Sequence, residues 1–411
     1  MNSLMFSTML RGMERLNDCF AAGDRLLTVG EAAERLRTRL GPTVGRERVA
    51  LAEARGRILA EPLTSRLDVP GYDNAAVDGY AFAHGQGHYR LAGRAAAGRP
   101  FAHALRPGEA VRILTGAPVP EGADTVAMQE DCELDGETVA VPAGLKAGAN
   151  YRKAGENIRR GETIFAPGQR LGPLQLGVAA SLGETAHDVF RPLRIALFST
   201  GDELALPGEP LAPGQLYDSN RTMLRAFLEA DGLSVTDLGI LPDDAAAVEA
   251  ALAEAAAGHD VVMTSAGIST GDEDHVAAAV PELHFWRLAV KPGRPLALGS
   301  IGNAAFVGLP GNPVAAAACL LMLVRPMLGL LGGAGWETPP ATPVPAGFAM
   351  KKKTGRREWL RVSLGEDGAA RKAGPDGSAL LRVMAEADGL LDVPEDVETI
   401  APGDRFPMLR F

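Results

Sequence analysis

Apolar strands alternate with helical segments between positions 193 and 313, and this alternation constrains the fold more than any other feature. Runs such as LRIALFS and DVVMTS each lead into a glycine-containing turn, and helical patterns such as SNRTMLRAFLEADG follow. Strands that alternate with helices pair in parallel, with the connecting helices on both faces of the sheet. The segment 193–334 is therefore predicted to be a doubly wound α/β domain with its ligand at the carboxyl ends of the strands.

The rest of the chain divides into parts of different character. Residues 65–164 are rich in Gly and Pro and carry short alternating runs, which predicts an inserted β domain. The flanking segments 25–64 and 165–192 are predicted to form one discontinuous, partly helical linker domain. A Pro-rich stretch precedes short strands in 335–411, which are predicted to form a small C-terminal β barrel. A multidomain α/β protein suits a chain of 411 residues.

Capping residues predict where helices begin and end. Thr28 is suited to be the N-cap of the first helix, and Ser219 or Asn220 is suited to begin the helix that Gly232 ends. The apolar stretch that starts at Val314 is interrupted by Arg325 and Pro326 and is too short to span a bilayer, so a buried helix is predicted.

Charge and cysteine content limit the classes of partner. The net charge of -10 argues against nucleic acid, whose phosphates favour a basic surface. The basic run 351–359 is expected to be a solvated strand face. Three cysteines far apart in sequence indicate neither a disulfide framework nor a cysteine zinc site, which fits the cytoplasm. The amino-terminal segment has no pattern of a signal peptide, and no contact with a membrane is expected.

Polar, glycine-containing loops follow five predicted strands, and they should gather at one edge of the sheet. These loops contribute the acids Glu203, Asp244 and Asp274, the bases Lys291 and Arg294, and the segments 267–271 and 309–313. Some of these residues have structural explanations: Asp243 or Asp244 can cap a helix, Asp272 can cap the next, and glycine after a strand is common turn chemistry.

Taken together, the loops indicate a site for a phosphorylated ligand and a cation. The Gly-Ser-Thr loop at a helix N-terminus offers N–H groups to an anion. Two carboxylates about 5 Å apart repel by roughly 3 kcal/mol at an effective dielectric constant near 20, so an acidic cluster favours a bound cation. Oxygen ligands favour Mg²⁺. In the β domain, Asp73, Asn74 and Asp78 crowd one segment and Thr115 lies in another, although turn formation explains some of them.

Eight segments resemble, in order, the motifs of the MoeA family, the molybdopterin molybdenumtransferases related to the E domain of gephyrin. They are DVPGYDNAAVDGYA, ILTGAPVPEGADTVAMQE, GENIRRGE, LFSTGDEL, YDSNRTML, SAGISTGDED, VKPGRPLALG and GLPGNPVAA. The resemblance implies an elongated homodimer of four-domain subunits, with the linker domain in dimerisation. It also implies an active cleft between the α/β domain of one subunit and the β domain of the other.

The resemblance implies a reaction in which adenylyl-molybdopterin and molybdate give molybdenum cofactor and AMP, with Mg²⁺. The implied catalytic residues are Asp78, Thr115, Glu203, Asp244 and Asp274, of which Glu203, Asp244 and Asp274 would bind the metal. The implied substrate-binding residues are Gly267, Ser269, Gly271, Lys291, Arg294, Pro310, Asn312 and Pro313. Expected transient partners are a molybdopterin adenylyltransferase and acceptor molybdoenzymes.

The chain departs from the family pattern at five positions. Asn157 stands where many relatives have Asp, Ala266 where Gly is usual, Ala315 where Ser is frequent, and His275 and Arg294 where Tyr and Lys are common. Ala266 adds a methyl group where the backbone approaches the ligand. These departures leave open a second function, a weakened paralogue that binds or carries molybdopterin or finished cofactor. A third, an oligomeric scaffold, is less consistent with the retained acids.

Overall fold

The computed structural model describes residues 26–266, 275–375 and 377–411. The helices in these ranges are α1 (Val29–Arg39), α2 (Pro173–Ser181), α3 (Ser219–Ala230), α4 (Ala245–Gly258), α5 (His275–Ala279), α6 (Pro313–Cys319), α7 (Arg325–Leu331) and α8 (Leu381–Ala385). Short 3-10 turns cover Leu51–Glu53 and Gln129–Asp131, and a π-helical segment covers Leu320–Val324.

The strands are short in the first half of the chain and longer in the second. The first fourteen are β1 (Leu26–Leu27), β2 (Arg46–Ala50), β3 (Ile58–Leu59), β4 (Leu63–Thr64), β5 (Asn74–Ala75), β6 (Gly79–Phe82), β7 (His88–Ala95), β8 (Glu109–Ile113), β9 (Thr125–Met128), β10 (Glu133–Asp135), β11 (Thr138–Ala140), β12 (Tyr151–Arg152), β13 (Thr163–Phe165) and β14 (Ala186–Phe190). The remainder are β15 (Arg194–Thr200), β16 (Leu204–Ala205), β17 (Leu216–Tyr217), β18 (Ser234–Leu241), β19 (Val261–Ser265), β20 (Glu282–Leu288), β21 (Val290–Lys291), β22 (Pro295–Ile301), β23 (Ala304–Leu309), β24 (Ala341–Pro345), β25 (Met350–Lys351), β26 (Arg357–Leu364), β27 (Ala370–Lys372), β28 (Gly389–Val393), β29 (Thr399–Ile400) and β30 (Arg405–Arg410).

The central sheet has seven strands in the order β1-β20-β22-β23-β19-β15-β18. The four strands β18, β15, β19 and β23 are parallel, which confirms the predicted doubly wound core. One further strand makes the sheet mixed at one side, because β22 runs antiparallel to both β23 and β20. A two-residue turn joins β22 to β23, and so short a connection can only reverse the chain. The carboxyl end of β20 still lies at the same edge as those of β15, β19 and β23.

The first strand and helix pack on the α/β domain. β1 pairs with β20, and Leu27, Leu36 and Val44 belong to the same buried cluster as the central strands. Thr28 is the N-cap of α1, as predicted, and forms a reciprocal capping box with Glu31.

The predicted N-cap of α3 is wrong by one or two residues. Asp218, and neither Ser219 nor Asn220, caps the helix: its carboxylate accepts a hydrogen bond from the Arg221 amide at 3.1 Å. The same carboxylate binds the Arg221 side chain at 2.8 Å, and both residues are buried. Gly232, with φ of 77°, follows the last turn as predicted.

The apolar stretch after Pro313 is a buried helical run, as predicted, although Arg325 and Pro326 do not end it. The run continues to Leu331 through the π-helical segment, which lies just before Pro326. Proline lacks an N–H donor and crowds the preceding turn, and a widened turn accommodates it. The run is long and apolar enough to cross a membrane, but 83% of its most apolar window is buried inside the protein.

The inserted β domain and the linker domain have separate cores. The β domain holds a six-stranded sheet in the order β10-β11-β7-β8-β6-β9, antiparallel except for the parallel pair β7 and β8. The linker domain contains the sheet β2-β14-β3, the pair β4 and β13, and helix α2, packed around Leu59, Leu63 and Val189.

The C-terminal strands form a sheet in the order β21-β26-β28-β30-β24, with β27 on β26, and a separate pair, β25 and β29. The expectation that 351–359 is a solvated face is wrong for several of its residues. Lys352 and Glu358 are buried, and burial lowers the pKa of the Lys352 ammonium. Glu358, Trp359 and Leu360 are buried in succession, and because successive strand residues point to opposite faces, both faces of β26 are covered at this end.

Candidate functional site

The KPGRP loop lies at the carboxyl edge of the central sheet and presents two cations. Lys291 and Arg294 are both exposed. The loop is closed at its base, where the Leu288 amide donates to the Arg294 carbonyl at 2.7 Å. This position agrees with the predicted gathering of strand-end loops and leaves both side chains accessible to an anion.

Helix α6 supports the same loop from below. The Cys319 thiol donates to the Gly293 carbonyl at 3.2 Å, and a side chain at Gly293 would collide with the Cys319 sulfur. Gly293 also has φ of 99°, a conformation that favours glycine. Burial raises the pKa of the Cys319 thiol to about 12, so this cysteine packs and has no role as a nucleophile.

Glu203 follows β15 and is held close to the end of that strand. Its side chain folds back over Gly201, so that a Cβ on Gly201 would overlap the Glu203 carboxylate. The Glu203 carbonyl accepts a hydrogen bond from the Leu216 amide at 2.8 Å. The side chain is exposed and can reach a ligand at the carboxyl edge.

Asp244 is the N-cap of α4, which was predicted to be either Asp243 or Asp244. Its carboxylate accepts a hydrogen bond from the Ala247 amide at 2.8 Å, which occupies one side of the carboxylate. The neighbouring Asp243 lies 3.9 Å from the ring nitrogen of His275. Capping and ligand binding are compatible, since a carboxylate offers several acceptor sites.

Ala266 adopts φ of 77°, in the left-handed region that glycine prefers. Its amide donates to the Leu309 carbonyl at 3.1 Å, and a Cβ built on Gly311 would lie 3.3 Å from the Ala266 methyl. The chain therefore retains the backbone turn of a glycine at this position, and the methyl group is directed towards the neighbouring loop.

Sequence reasoning missed Asn220 as a residue of this edge. Its amide nitrogen donates to the Ser265 hydroxyl at 2.6 Å and to the Gly311 carbonyl at 2.7 Å. Its amide oxygen is buried and has no hydrogen-bond partner in the ranges that the structure describes. Asn220 lies in the YDSNR segment, which resembles a family motif, and this could have indicated a role at the site. The sequence pattern around it predicts only a helix cap.

The loop after β23 leads into α6. Pro310 is buried, Asn312 is the exposed N-cap, and Pro313 is the first helical residue. The Asn312 side chain makes no capping hydrogen bond, so its amide is not committed to the helix. Ala315, one of the departures, is buried within the first turn.

A second polar group lies in the β domain, where Thr115 hydrogen-bonds to Asp78. The Thr115 amide and hydroxyl each donate to one oxygen of Asp78 at 2.7 Å. These two bonds, with the nearby Arg112 guanidinium, hold the pKa of the Asp78 carboxyl below its usual range. Glu130 lies close enough for the charge of Asp78 to act on it. Asp78 is thus an ionised, oriented carboxylate with one oxygen free of the threonine.

Four predicted site residues, Gly267, Ser269, Gly271 and Asp274, lie outside the described residues, as does Asp272. In the parts of the chain that the structure describes, no group of three acidic, histidine or cysteine side chains could hold a metal. The magnesium site made of Glu203, Asp244 and Asp274 therefore stays a prediction. Asn157, another departure from the family pattern, is exposed, and its backbone N–H donates to the Val69 carbonyl at 3.0 Å.

A groove of about 570 Å³ lies at the opposite edge of the sheet, beside Leu193 and Leu233. Arginines line it, and two of them form ion pairs within the protein: Arg191 binds Asp260 and Arg325 binds Asp231. The groove is distant in the topology from every predicted site residue, and we do not include it in the candidate site.

Comparisons with known proteins cover nearly the whole chain. Models of the MoeA N-terminal region (domain I and II), a probable molybdopterin binding domain and the MoeA C-terminal region (domain IV) match residues 27–183, 196–329 and 343–411. A molybdopterin molybdenumtransferase from Haemophilus influenzae is 36% identical over 392 residues, 92% of this chain and 97% of that protein.

Two further comparisons agree with these matches. Molybdopterin molybdenumtransferase 2 from Mycobacterium tuberculosis is 35% identical over 374 residues, which cover 86% of this chain and 92% of that protein. The crystal structure of a molybdopterin biosynthesis moeA protein from Pyrococcus horikoshii superposes with a TM-score of 0.79 at 26% identity, covering 94% of this chain and all of that one. The matches extend through every domain and confirm the resemblance found in the motifs: the chain belongs to the MoeA family.

Proposed function

We propose that the protein is a molybdopterin molybdenumtransferase, which inserts molybdate into adenylyl-molybdopterin and releases AMP. The observation that carries this proposal is the match at 36% identity along 92% of the chain to a protein of that name. The relatives from Haemophilus influenzae and Mycobacterium tuberculosis share the name of an enzyme, and this favours catalysis over the alternative role of a cofactor carrier.

The geometry supports distinct roles for the two polar groups. Lys291 and Arg294 are exposed cations at the strand ends, suited to hold the molybdate and phosphate oxyanions. Asn312 and the glycine-rich segment 267–271 would contribute amide donors. Asp78, kept ionised by Thr115, can accept a hydrogen bond from the substrate or orient it.

Mg²⁺ belongs to this proposal through the chemistry of its ligands. Glu203 and Asp244 present carboxylate oxygens at the sheet edge, and Asp274 follows in sequence after the glycine-rich loop. Carboxylate oxygens are the ligands that Mg²⁺ accepts in phosphate sites. When bound, the metal would neutralise charge on the pyrophosphate of the substrate.

The proposed active unit is a homodimer in the cytoplasm. Asp78 and Thr115 bind each other within the β domain, whereas the cations Lys291 and Arg294 lie on the α/β domain. A cleft between the α/β domain of one subunit and the β domain of its partner would bring the two groups together. Transient contact with a molybdopterin adenylyltransferase and with acceptor molybdoenzymes completes the proposal.

AMP release tests the reaction directly. Purified protein is mixed with adenylyl-molybdopterin, Mg²⁺ and molybdate, and AMP is measured together with reconstitution of an apo molybdoenzyme. We expect AMP only when molybdate is present, and Asp78→Asn should lower the rate by on the order of 100-fold. Asp135→Asn, at an exposed acid of β10 in the same domain, is the matched control. If the substrate binds but no molybdate-dependent release of AMP is measured, the proposed enzymatic activity is wrong.

Subunit mixing tests the shared cleft. Asp78→Asn and Lys291→Ala proteins are each inactive in the proposal, but their heterodimer would hold one intact site. Random exchange of two subunits should restore about a quarter of the wild-type activity. If light scattering shows that the mixture is dimeric and no activity is restored, both residues belong to a site within one subunit. If the protein is a monomer, the proposal of a shared cleft is wrong.

A further inference from the structure

The C-terminal domain shares its core with the α/β domain. Trp359, Leu390 and Leu409 lie in the same buried cluster as the central strands and the helical run that begins at Pro313. Trp359 is 2% exposed. The two domains are therefore joined by apolar packing, which resists relative motion more than a polar interface does.

A strand pair connects this domain to the KPGRP loop. β21, which contains Lys291, pairs in parallel with β26, so that Val290 lies opposite Arg357. The Arg357 amide donates to the Ala289 carbonyl at 2.7 Å. The backbone before Lys291 is therefore hydrogen-bonded to β26. The loop that follows Lys291 is closed by the hydrogen bond between Leu288 and Arg294.

The end of β26 that carries this pair is itself held by a buried acid. Asp392 on β28 accepts hydrogen bonds from the Arg357 guanidinium at 2.6 and 2.7 Å and from the Trp359 indole at 3.1 Å. Its side chain is 11% exposed and that of Arg357 is 25% exposed. The hydrogen bonds from Arg357 to Asp392 raise the pKa of the Arg357 guanidinium, which stays charged.

A second bond reaches the other anion-facing loop. The Val314 amide, in the first turn of α6, donates to the Ser378 carbonyl of the C-terminal domain at 3.1 Å. The first amides of a helix lack partners within the helix, and this bond satisfies one of them. The C-terminal domain thus contacts the KPGRP loop and the start of α6, two of the segments at the carboxyl edge.

We propose that Asp392 and Arg357 are positioning residues for oxyanion binding: they fix β26, and β26 fixes the backbone of Lys291. This inference rests on the proposed function for its kinetic consequence, but its structural part does not. A displaced Lys291 would bind molybdate less tightly, and the chemical step would change less than binding, since neither positioning residue touches the substrate.

The experiment compares variants within one sheet. Asp392→Asn removes the charge that orients Arg357, and Arg357→Lys keeps the charge but loses the planar fork. Asp367→Asn is the matched control, because Asp367 forms a bidentate pair with Arg371 at 2.8 and 2.9 Å, and the strand that carries Arg371 pairs with the end of β26 away from β21. We expect KM for molybdate to rise by at least about fivefold in the first two proteins, with kcat within about twofold, and no change in the control.

Amide hydrogen exchange supplies a readout that needs no substrate. Exchange at Val290, Lys291 and Gly293 should accelerate in Asp392→Asn and Arg357→Lys relative to Asp367→Asn. If wild-type protein releases no AMP, the proposed function fails and the exchange result alone decides the inference. Unchanged exchange and unchanged KM, in variants whose circular dichroism matches the wild type, would overturn it. If Asp392→Asn does not fold, Arg357→Lys gives the same two readouts.

Discussion

Ala266 carries a side chain in a backbone conformation that glycine adopts without steric cost. Its φ of 77° places the methyl group close to the preceding backbone, which costs an L-residue about 1–2 kcal/mol. Gly311 faces it and leaves room for the methyl, because a Cβ there would approach to 3.3 Å. The departure from the family pattern is thus accommodated in the fold, at some cost in stability.

Ala266→Gly should therefore stabilise the protein. Relief of the strain exceeds the extra backbone entropy of glycine, and a net gain of about 0.5–1 kcal/mol is expected. Thermal unfolding measured by calorimetry checks it. Ala250→Gly, at an exposed position inside α4, is a control of opposite sign and should lose about 1 kcal/mol. A lower Tm for Ala266→Gly than for the wild type would show that the backbone of Ala266 is not strained.

At the scale of elements, one amide joins three of them. Asn220 near the start of α3 bonds to Ser265 at the end of β19 and to Gly311 after β23. Hydrogen bonds in such a half-buried network cost more when broken than their net contribution suggests, since the remaining partners are left unsatisfied. Asn220 thereby sets the distance between two loops of the candidate site.

Asn220→Ala should destabilise the protein by about 1–3 kcal/mol and reduce molybdate-dependent AMP release. Chemical denaturation and the AMP assay check the two effects separately. Asn303→Ala, in the exposed turn between β22 and β23, is the control and should leave both unchanged. Equal behaviour of the two variants would show that the Asn220 bonds contribute nothing to the site.

For the whole molecule, Asp260 joins the linker domain to the central sheet. It accepts two hydrogen bonds from the Arg191 guanidinium at 2.6 Å and one from the Arg194 amide at 2.9 Å, and it is 8% exposed. Burial by itself raises the pKa of the Asp260 carboxyl, but the bonds from Arg191 and Arg194 outweigh burial and leave it below its ordinary value.

The lowered pKa predicts a pH-dependent contribution to stability. The contribution is fully present above the pKa of the unfolded carboxyl, near 4, and is lost as pH falls through the lower folded pKa. Asp260→Asn should cost about 2–3 kcal/mol at pH 7, with the difference from wild type shrinking as the solution becomes more acidic. Calorimetry between pH 7 and pH 3 measures it. Asp188→Asn, which removes an exposed ion pair with Arg48, should stay within about 0.5 kcal/mol.

Much of the fold and part of the site could be predicted because their signals are local. Strand and helix periods identify the α/β core, and the caps Thr28 and Asp244 follow from short-range hydrogen bonding. The family resemblance assigned Asp78 and Thr115 to the site separately, and only the structure shows the hydrogen bonds between them. Asp218, Ser219 and Asn220 are all residue types that cap helices, and only the structure shows that Asp218 accepts the hydrogen bond from the Arg221 amide.

The sequence by itself determined the family, the βα alternation and the residue types at the strand ends, since these depend on periodicity and on order along the chain. Only the tertiary structure decided the reversed strand β22, the bonds of Asn220 and the attachment of Lys291 to the C-terminal domain. The bonds of Asn220 and the attachment of Lys291 join residues far apart in sequence. Such contacts follow from how sheets and helices pack in three dimensions, and no local pattern encodes that packing.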